Sequence, residues 1–306
     1  MNRYSQHIET KKKDSRISNM VVAMQGWNEK LDVSMETPKD NFGIKIKVVC
    51  GDLTVTNDKL DVEFDVPFDD DLEKNEAEIV IYNMAKNNVA RIKKNQVISI
   101  NCGYGNDTGV IFTGRVSKVL TKWEGQDKKT TIYALDSESL DEVNVKSLAF
   151  AAGSKASYIL KSLAGKLSIP LAVCKTRRDH TYKDKVTVDG NILPEIKKYA
   201  EVCGVSAYIN KGKLYIRHIS DGDNINFTVQ ESSGLIGSPE EFEEEITAED
   251  YKDTVTGYNV KMLLQHRITT ASIITLKSRD VSGKFRVIEG SHSYNGTDFI
   301  TSIKVI

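Results

Sequence analysis

Residues 76–136 leave room for little besides β-structure. A run reading EAEIVIYNM sets Ala77, Ile79 and Ile81 on one face and Glu76, Glu78 and Tyr82 on the other, the two-residue period of a half-buried strand. A short helix is predicted over 84–92. Strands follow at 97–104, 110–123 and 129–136, joined by turns at 103–109 and 124–127. Upstream, Ile44, Ile46 and Val48 alternate with Lys45 and Lys47, and Leu60, Val62, Phe64 and Val66 alternate with Asp61, Glu63 and Asp65. Six short strands and one helix predict a small barrel or sandwich.

Helical periodicity enters only in the middle third. Ile159, Leu160, Leu163, Ala164 and Leu167 form an apolar stripe behind Ser154, an expected N-cap. A second helix is predicted from Asn191, with Pro194 in its first turn, Ile196, Tyr199, Ala200 and Cys203 on its buried face, and Gly204 as its stop. A hairpin around Lys211 and Gly212 completes an α+β unit. From Gly234 the pattern is β again, with strands expected at 254–264, 270–277, 284–289 and 299–306, and the acidic run SPEEFEEEITAEDYKD reads as a separator before them. The fold class is therefore mainly β with an α+β insert: two small β-barrel domains, 42–137 and 234–306, flanking an α+β module at 138–233. Residues 1–41 form a polar arm.

Composition sets the outer limits. The 306 residues carry 42 basic and 43 acidic side chains, so the formal charge of −1 calls for neither nucleic acid nor an anionic membrane. Cys50, Cys102, Cys174 and Cys203 lie far apart with no CxxC spacing, the pattern of scattered buried thiols in a reducing cytosol. The apolar run at 20–24 is too short for a signal-peptide core or a membrane span, and the chain is expected to be made and kept in a cytoplasm.

No motif demands catalysis, a cofactor or a metal. Gly103, Gly105 and Gly109 sit between two strands, so no helix N-terminus faces them to hold an anion, and a hairpin turn is expected. His7, His180, His218, His266 and His292 are dispersed, without ligand spacing, and read as surface or half-buried side chains. The polar patch at 177–184 reads either as a solvated loop or as a ligand-binding loop. Carboxylate runs at 69–71 and 240–245 repel one another and are expected to face water rather than form the paired acids of a glycosidase. Asp61, Glu63 and Asp65 have two readings. They face bulk solvent, or, in a closed ring of several copies, they line a channel whose surface repels DNA.

The order EAEIVIYNM, RIKKNQVISINCGYG, GVIFTGRVSKV and TTIYALDS resembles the first β-barrel domain of phage tail baseplate hub proteins of the late-control-gene-D type. These belong to contractile phage tails and phage-tail-like bacteriocins. The segments SYILKSLAGKLSIP and EIKKYAEVCGVSAYINKGKLYIRH resemble the module between their barrels, and GKFRVIEG, His292 and NGTDFITSIKVI resemble their close. The likeness covers about 42–306. It implies a homotrimer whose two barrels per subunit form a pseudo-sixfold ring, joining a sixfold tail tube or tube-initiator protein to a threefold central spike. It also implies assembly in the bacterial host cytoplasm and residence in the tail baseplate, with no enzymatic activity, no specific nucleic-acid binding and no membrane. The competing reading is a tail-associated cell-wall hydrolase acting through Glu78, Asp179 or Glu243, or a glycan-binding module using the 177–184 loop.

Overall fold

Alternation in the sequence becomes alternation in burial. In β1 (Ile44–Cys50) Ile46, Val48 and Cys50 are buried between exposed lysines, and in β3 (Val62–Phe68) Val62, Phe64 and Val66 are buried while Asp65 is exposed. The computed structural model describes residues 41–136, 143–248 and 251–306, with the side chains of 244–255 left aside; all fall within one unit spanning Thr37–Ile306. The arm expected over 1–41 lies, Asn41 excepted, outside the described residues.

The first β region contains β1, β2 (Leu53–Thr56), β3, β4 (Glu76–Tyr82), α1 (Lys86–Val89), β5 (Val97–Tyr104), β6 (Asp107–Glu124) and β7 (Asp127–Leu135). That is one strand more than the six expected. β2 is only four residues long and turns back on β1 through Gly51 and Asp52, with Gly51 at φ +58°. Asn57 locks the returning chain, its side chain accepting from Ile46 N at 2.9 Å and donating to Ile44 O at 3.0 Å. The helix expected over 84–92 is a single turn, because Asn87 and Asn88 favour local side-chain bonds over helix propagation.

The middle module holds β8 (Asn144–Phe150), α2 (Ala156–Ala164), β9 (Leu171–Cys174), β10 (Val186–Asn191), α3 (Ile192–Val202), β11 (Ser206–Asn210) and β12 (Lys213–Arg217). Asn191 caps α3, accepting from Leu193 N at 2.9 Å, and Gly204 leaves it at φ +67°, as expected. Lys211 and Gly212, both at positive φ, form the two-residue turn between β11 and β12.

The C-terminal region comprises β13 (Asp223–Val229), β14 (Leu235–Ala248), β15 (Tyr251–Leu263), β16 (Ser272–Lys277), β17 (Ser282–Tyr294) and β18 (Phe299–Val305). Here the acidic run at 238–253 proves to be no separator: it is most of the β14–β15 hairpin, paired from Leu235↔Met262 to Ala248↔Tyr251. β13 lies before residue 234 but pairs with β16 and gives Phe227 and Val229 to the C-terminal core.

One sheet joins the two β regions in the order β14-β15-β18-β17-β3-β4-β7-β6-β5-β1-β2, with β16 and β13 attached through β17. The join is β3 against β17, Phe64↔Tyr294 to Phe68↔Gly290. Three cores result, one per region, and the first is closed by Leu264 and Phe299 from the C-terminal strands. No described helix is long and apolar enough to cross a membrane.

Candidate assembly surface

The sheet across the β3–β17 join buries one face and leaves the other polar. On that polar face lie Asp61, just before β3, and Glu63 and Asp65 on it; Asp61 and Asp65 are exposed, and Glu63 is half-buried and accepts from Tyr82 Oη at 3.2 Å. Asp65 stands across from Glu78 on β4 and Ser293 on β17. The three carboxylates therefore share one face, next to a fourth. The face continues through Ser291, Ser302, Lys304, Lys261 and Asn259, where a trough of about 630 Å³ crosses β3, β17, β18 and β15. Gly290 lets β17 pack closely against β18 and β3, since a Cβ there would come within 2.6 Å of Ser302 O and 2.7 Å of the Phe68 ring.

Of the carboxylates at 69–71, Asp71 is exposed as expected, while Asp70 is held in an ion pair and the main chain of the run is anchored to both other regions. Thr270 Oγ1 donates to Asp69 O at 2.7 Å, Arg286 Nη1 to Asp70 Oδ2 at 2.7 Å, and Ile209 N to Asp71 O at 3.0 Å. The next residue, Leu72, is buried in the middle module's core. One loop of the first β region thus holds both other regions. Burial and the neighbouring Asp71 carboxylate push the Asp69 carboxyl up to about 6.

The polar patch at 177–184 is spent on two helix ends. Asp179 accepts from Ser157 N at 3.0 Å and Ser157 Oγ at 2.8 Å, capping α2 from outside its own sequence. Ser154 does not cap: the residue at the cap position is Lys155, whose side chain makes no capping bond. Arg178 donates to the carbonyls of Val202 and Glu201, which end α3, and Arg177 pairs with Asp221 at 2.6 Å. Glu78, Asp179 and Glu243 are not brought together. Asp179 belongs to the middle module, and Glu78 and Glu243 stand on strands five steps apart, about 24 Å along the sheet. Among the described residues no group of three His, Cys, Asp or Glu side chains is placed to hold a metal ion.

His292 sits deeper than its dispersal in sequence suggests, while His266 is half-buried as expected. His292 is buried; its Nε2 lies 3.1 Å from Ile268 O and must donate to it, so Nδ1 accepts from Thr301 Oγ1 at 2.8 Å. This is the neutral ring, and desolvation holds its pKa down to about 3. His266 is held down to about 4 by burial and by Arg267 beside it. It lies over Gly109, where a Cβ would meet the ring at 2.3 Å. Glycine in the 103–109 stretch therefore serves packing as well as the β5–β6 hairpin turn. Arg267 and Asp107, which no local pattern in the sequence singles out, form an ion pair between the two β regions.

Two hairpins reach past their cores. From Ser117 to Glu124, β6 pairs only with β7, and Trp123 near the tip is 73% exposed. Among the described residues β14 pairs only with β15, and its Glu240, Glu241 and Glu243 are exposed.

The same architecture recurs in solved tail proteins. The 43 kDa tail protein of prophage MuSo2 from Shewanella oneidensis matches with a TM-score of 0.60 over 86% of this chain and 97% of that one, at 8% identity. A tail protein from Neisseria meningitidis MC58 matches at 0.59 over 86% and 96%, with 10% identity. The E. coli c3393 protein, a component of the type VI secretion system, matches at 0.55 over 85% and 76%, with 9% identity. No curated protein matches the chain. The fold is thus that of tail proteins. Residues 51–281 match the baseplate hub gp41 family, and the chain belongs to that family, among the structural proteins of the tail baseplate.

Proposed function

We propose that the protein is a structural hub whose copies assemble as a trimer, each giving two tube-type barrels to a pseudo-sixfold ring that joins the sixfold tail tube, or its initiator, to a threefold central spike. The observation that carries this reading is the β3–β17 join, which makes one sheet of two β regions from a single chain. A chain with two such regions side by side offers six to a threefold assembly, and so bridges the two symmetries. In the ring Asp61, Glu63 and Asp65 face the lumen and keep passing DNA from adhering. The protein carries no catalytic centre, needs no cofactor, binds neither membrane nor a specific nucleic-acid sequence, and assembles in the host cytoplasm before joining the baseplate.

Light scattering on the purified chain, alone and with the spike protein encoded beside it, tests the ring. A trimer in either sample supports it, and a monomer in both overturns it. The lumen assignment has its own test: the thiol of Asp61→Cys should become inaccessible to a bulky polymer maleimide once the ring forms. Unchanged labelling would place that face outside.

A further inference from the structure

Among the described residues, two of the sheet's long unpaired strand edges carry opposite net charge. One is β14, exposing Glu240, Glu241 and Glu243; the other is the outer half of β6, Ser117 to Glu124, exposing Lys118 and Lys122 with Glu124 at the tip, net positive. Unpaired edges of this length normally invite indiscriminate pairing, and charged residues and proline restrain it. Here Pro239 and a register shift between Ile236 and Glu240 interrupt β14. Two β14 edges brought together would set Glu against Glu, and two β6 edges Lys against Lys. Of the pairings between these two edges, only β14 against β6 joins opposite charges.

Strand direction agrees. Seven antiparallel pairings lead from β6 through β7, β4, β3, β17, β18 and β15 to β14, so β6 and β14 run in opposite senses. Rotation about an axis along the strands preserves that sense, so β14 of one copy meets β6 of the next as an antiparallel pair. The sheet's other end, β2, offers four residues and would meet β14 in parallel. From these edges we infer that the partner of β14 is the outer half of β6 in a second copy of this chain. Each copy then contributes two different surfaces to one contact, and such contacts close into a ring when the rotation allows. The inference rests on the trimeric ring proposed above and supplies its contact.

Charge reversal on the full-length chain tests it, with mass by light scattering as the readout and the spike protein included if the unaltered chain needs it. Lys118→Glu with Lys122→Glu, and separately Glu240→Lys with Glu241→Lys and Glu243→Lys, should each reduce the trimer to monomer. A 1:1 mixture of the two variants should associate again, since both kinds of contact between unlike copies are charge-matched, although a closed ring of three keeps one contact between like copies and so recovers only in part. If the unaltered chain is trimeric and both variants stay trimeric with unchanged affinity, this contact is wrong and the ring stands. A chain monomeric under every condition overturns both. Circular dichroism and the unfolding midpoint of each monomeric variant identify a misfolded one, and the mixture's recovery cannot come from misfolded chains.

Discussion

Arg267 closes on Asp107 as a two-bond fork, Nη1 to Oδ2 at 2.8 Å and Nη2 to Oδ1 at 2.5 Å. Asp107 opens β6 in the first β region, and Arg267 follows β15 in the C-terminal one. Parallel N–H···O bonds of this kind are among the stronger charge-assisted contacts, and the pair is only partly open to water. The carboxylate is held below its usual pKa range against desolvation by the Arg267 hydrogen bonds.

Removing one partner should therefore destabilise the chain. Arg267→Ala should cost about 2 kcal/mol, less than for a fully buried pair because the site is partly solvated. Denaturant unfolding of Arg267→Ala, Asp107→Ala and the double variant should give a coupling above about 1 kcal/mol. Additive losses would show that the fork does not join the regions.

Acid should weaken the fold through its two neutral histidines. Unfolded histidine titrates near 6.5, while His292 and His266 titrate at about 3 and 4 in the fold. Between those limits the unfolded chain binds more protons, so stability is full above about pH 6.5 and falls as pH drops toward 4. Asp69, raised to about 6, acts in the opposite sense, because its folded form keeps a proton that the unfolded carboxyl has lost above about pH 4. Two histidines against one carboxyl leave a net loss on the order of 1.4 kcal/mol per pH unit between pH 6 and 4. Unfolding free energies at pH 7.5, 6 and 5 measure it, and His292→Gln should flatten the slope; an unchanged slope would remove His292 from the account.

Leu72 tests whether the loop after β3 holds the middle module. It is the side chain that the first β region inserts into that module's core. Leu72→Ala should cost about 2–3 kcal/mol. Amide exchange should accelerate in the module, at Ile209 above all, whose N–H bonds to Asp71 O. Loss of protection confined to β3 and β4 would show that the loop serves its own region only.

Asp179 separates a structural from a chemical role. As the cap of α2 its loss should cost about 1 kcal/mol, and the first-turn amides of α2 should exchange faster in Asp179→Ala. Asp179→Asn keeps an acceptor oxygen and should recover most of that loss. Tails assembled with the asparagine form should be unimpaired; a defect with normal stability would point to chemistry at this position.

Legibility divides by distance along the chain. β1, β3 and β4 were readable because period-two alternation and a buried face are the same fact seen twice. α3 was readable because its signals, Asn191, Pro194 and Gly204, lie within one segment. β14 was not, since repeated glutamates look like a solvated linker, although Phe242 and Ile246 interrupt them at strand spacing. The cap of α2 comes from Asp179, across a loop and a strand, so the nearer Ser154 stood in for it. The anchoring of 69–71 is invisible locally because its partners, Thr270 and Ile209 on main-chain carbonyls and Arg286 on the Asp70 carboxylate, are far away in sequence. Of the candidate surface, the shared face of Asp61, Glu63 and Asp65 was visible, but the sheet that extends it was not. The β3–β17 pairing and the unpaired edges arise only when the regions meet.

That same pairing sets a timetable for synthesis. β3 lies near the start of the chain, while β17 and Arg286, whose contact with Asp70 spans 216 residues, lie near its end. At typical translation rates of 5–20 residues per second, roughly 10–40 s pass between them. Throughout that interval the nascent first region presents an open strand edge, and Asp61, Glu63 and Asp65 along β3 are the charges on hand to keep it from pairing with a neighbour on the same messenger RNA.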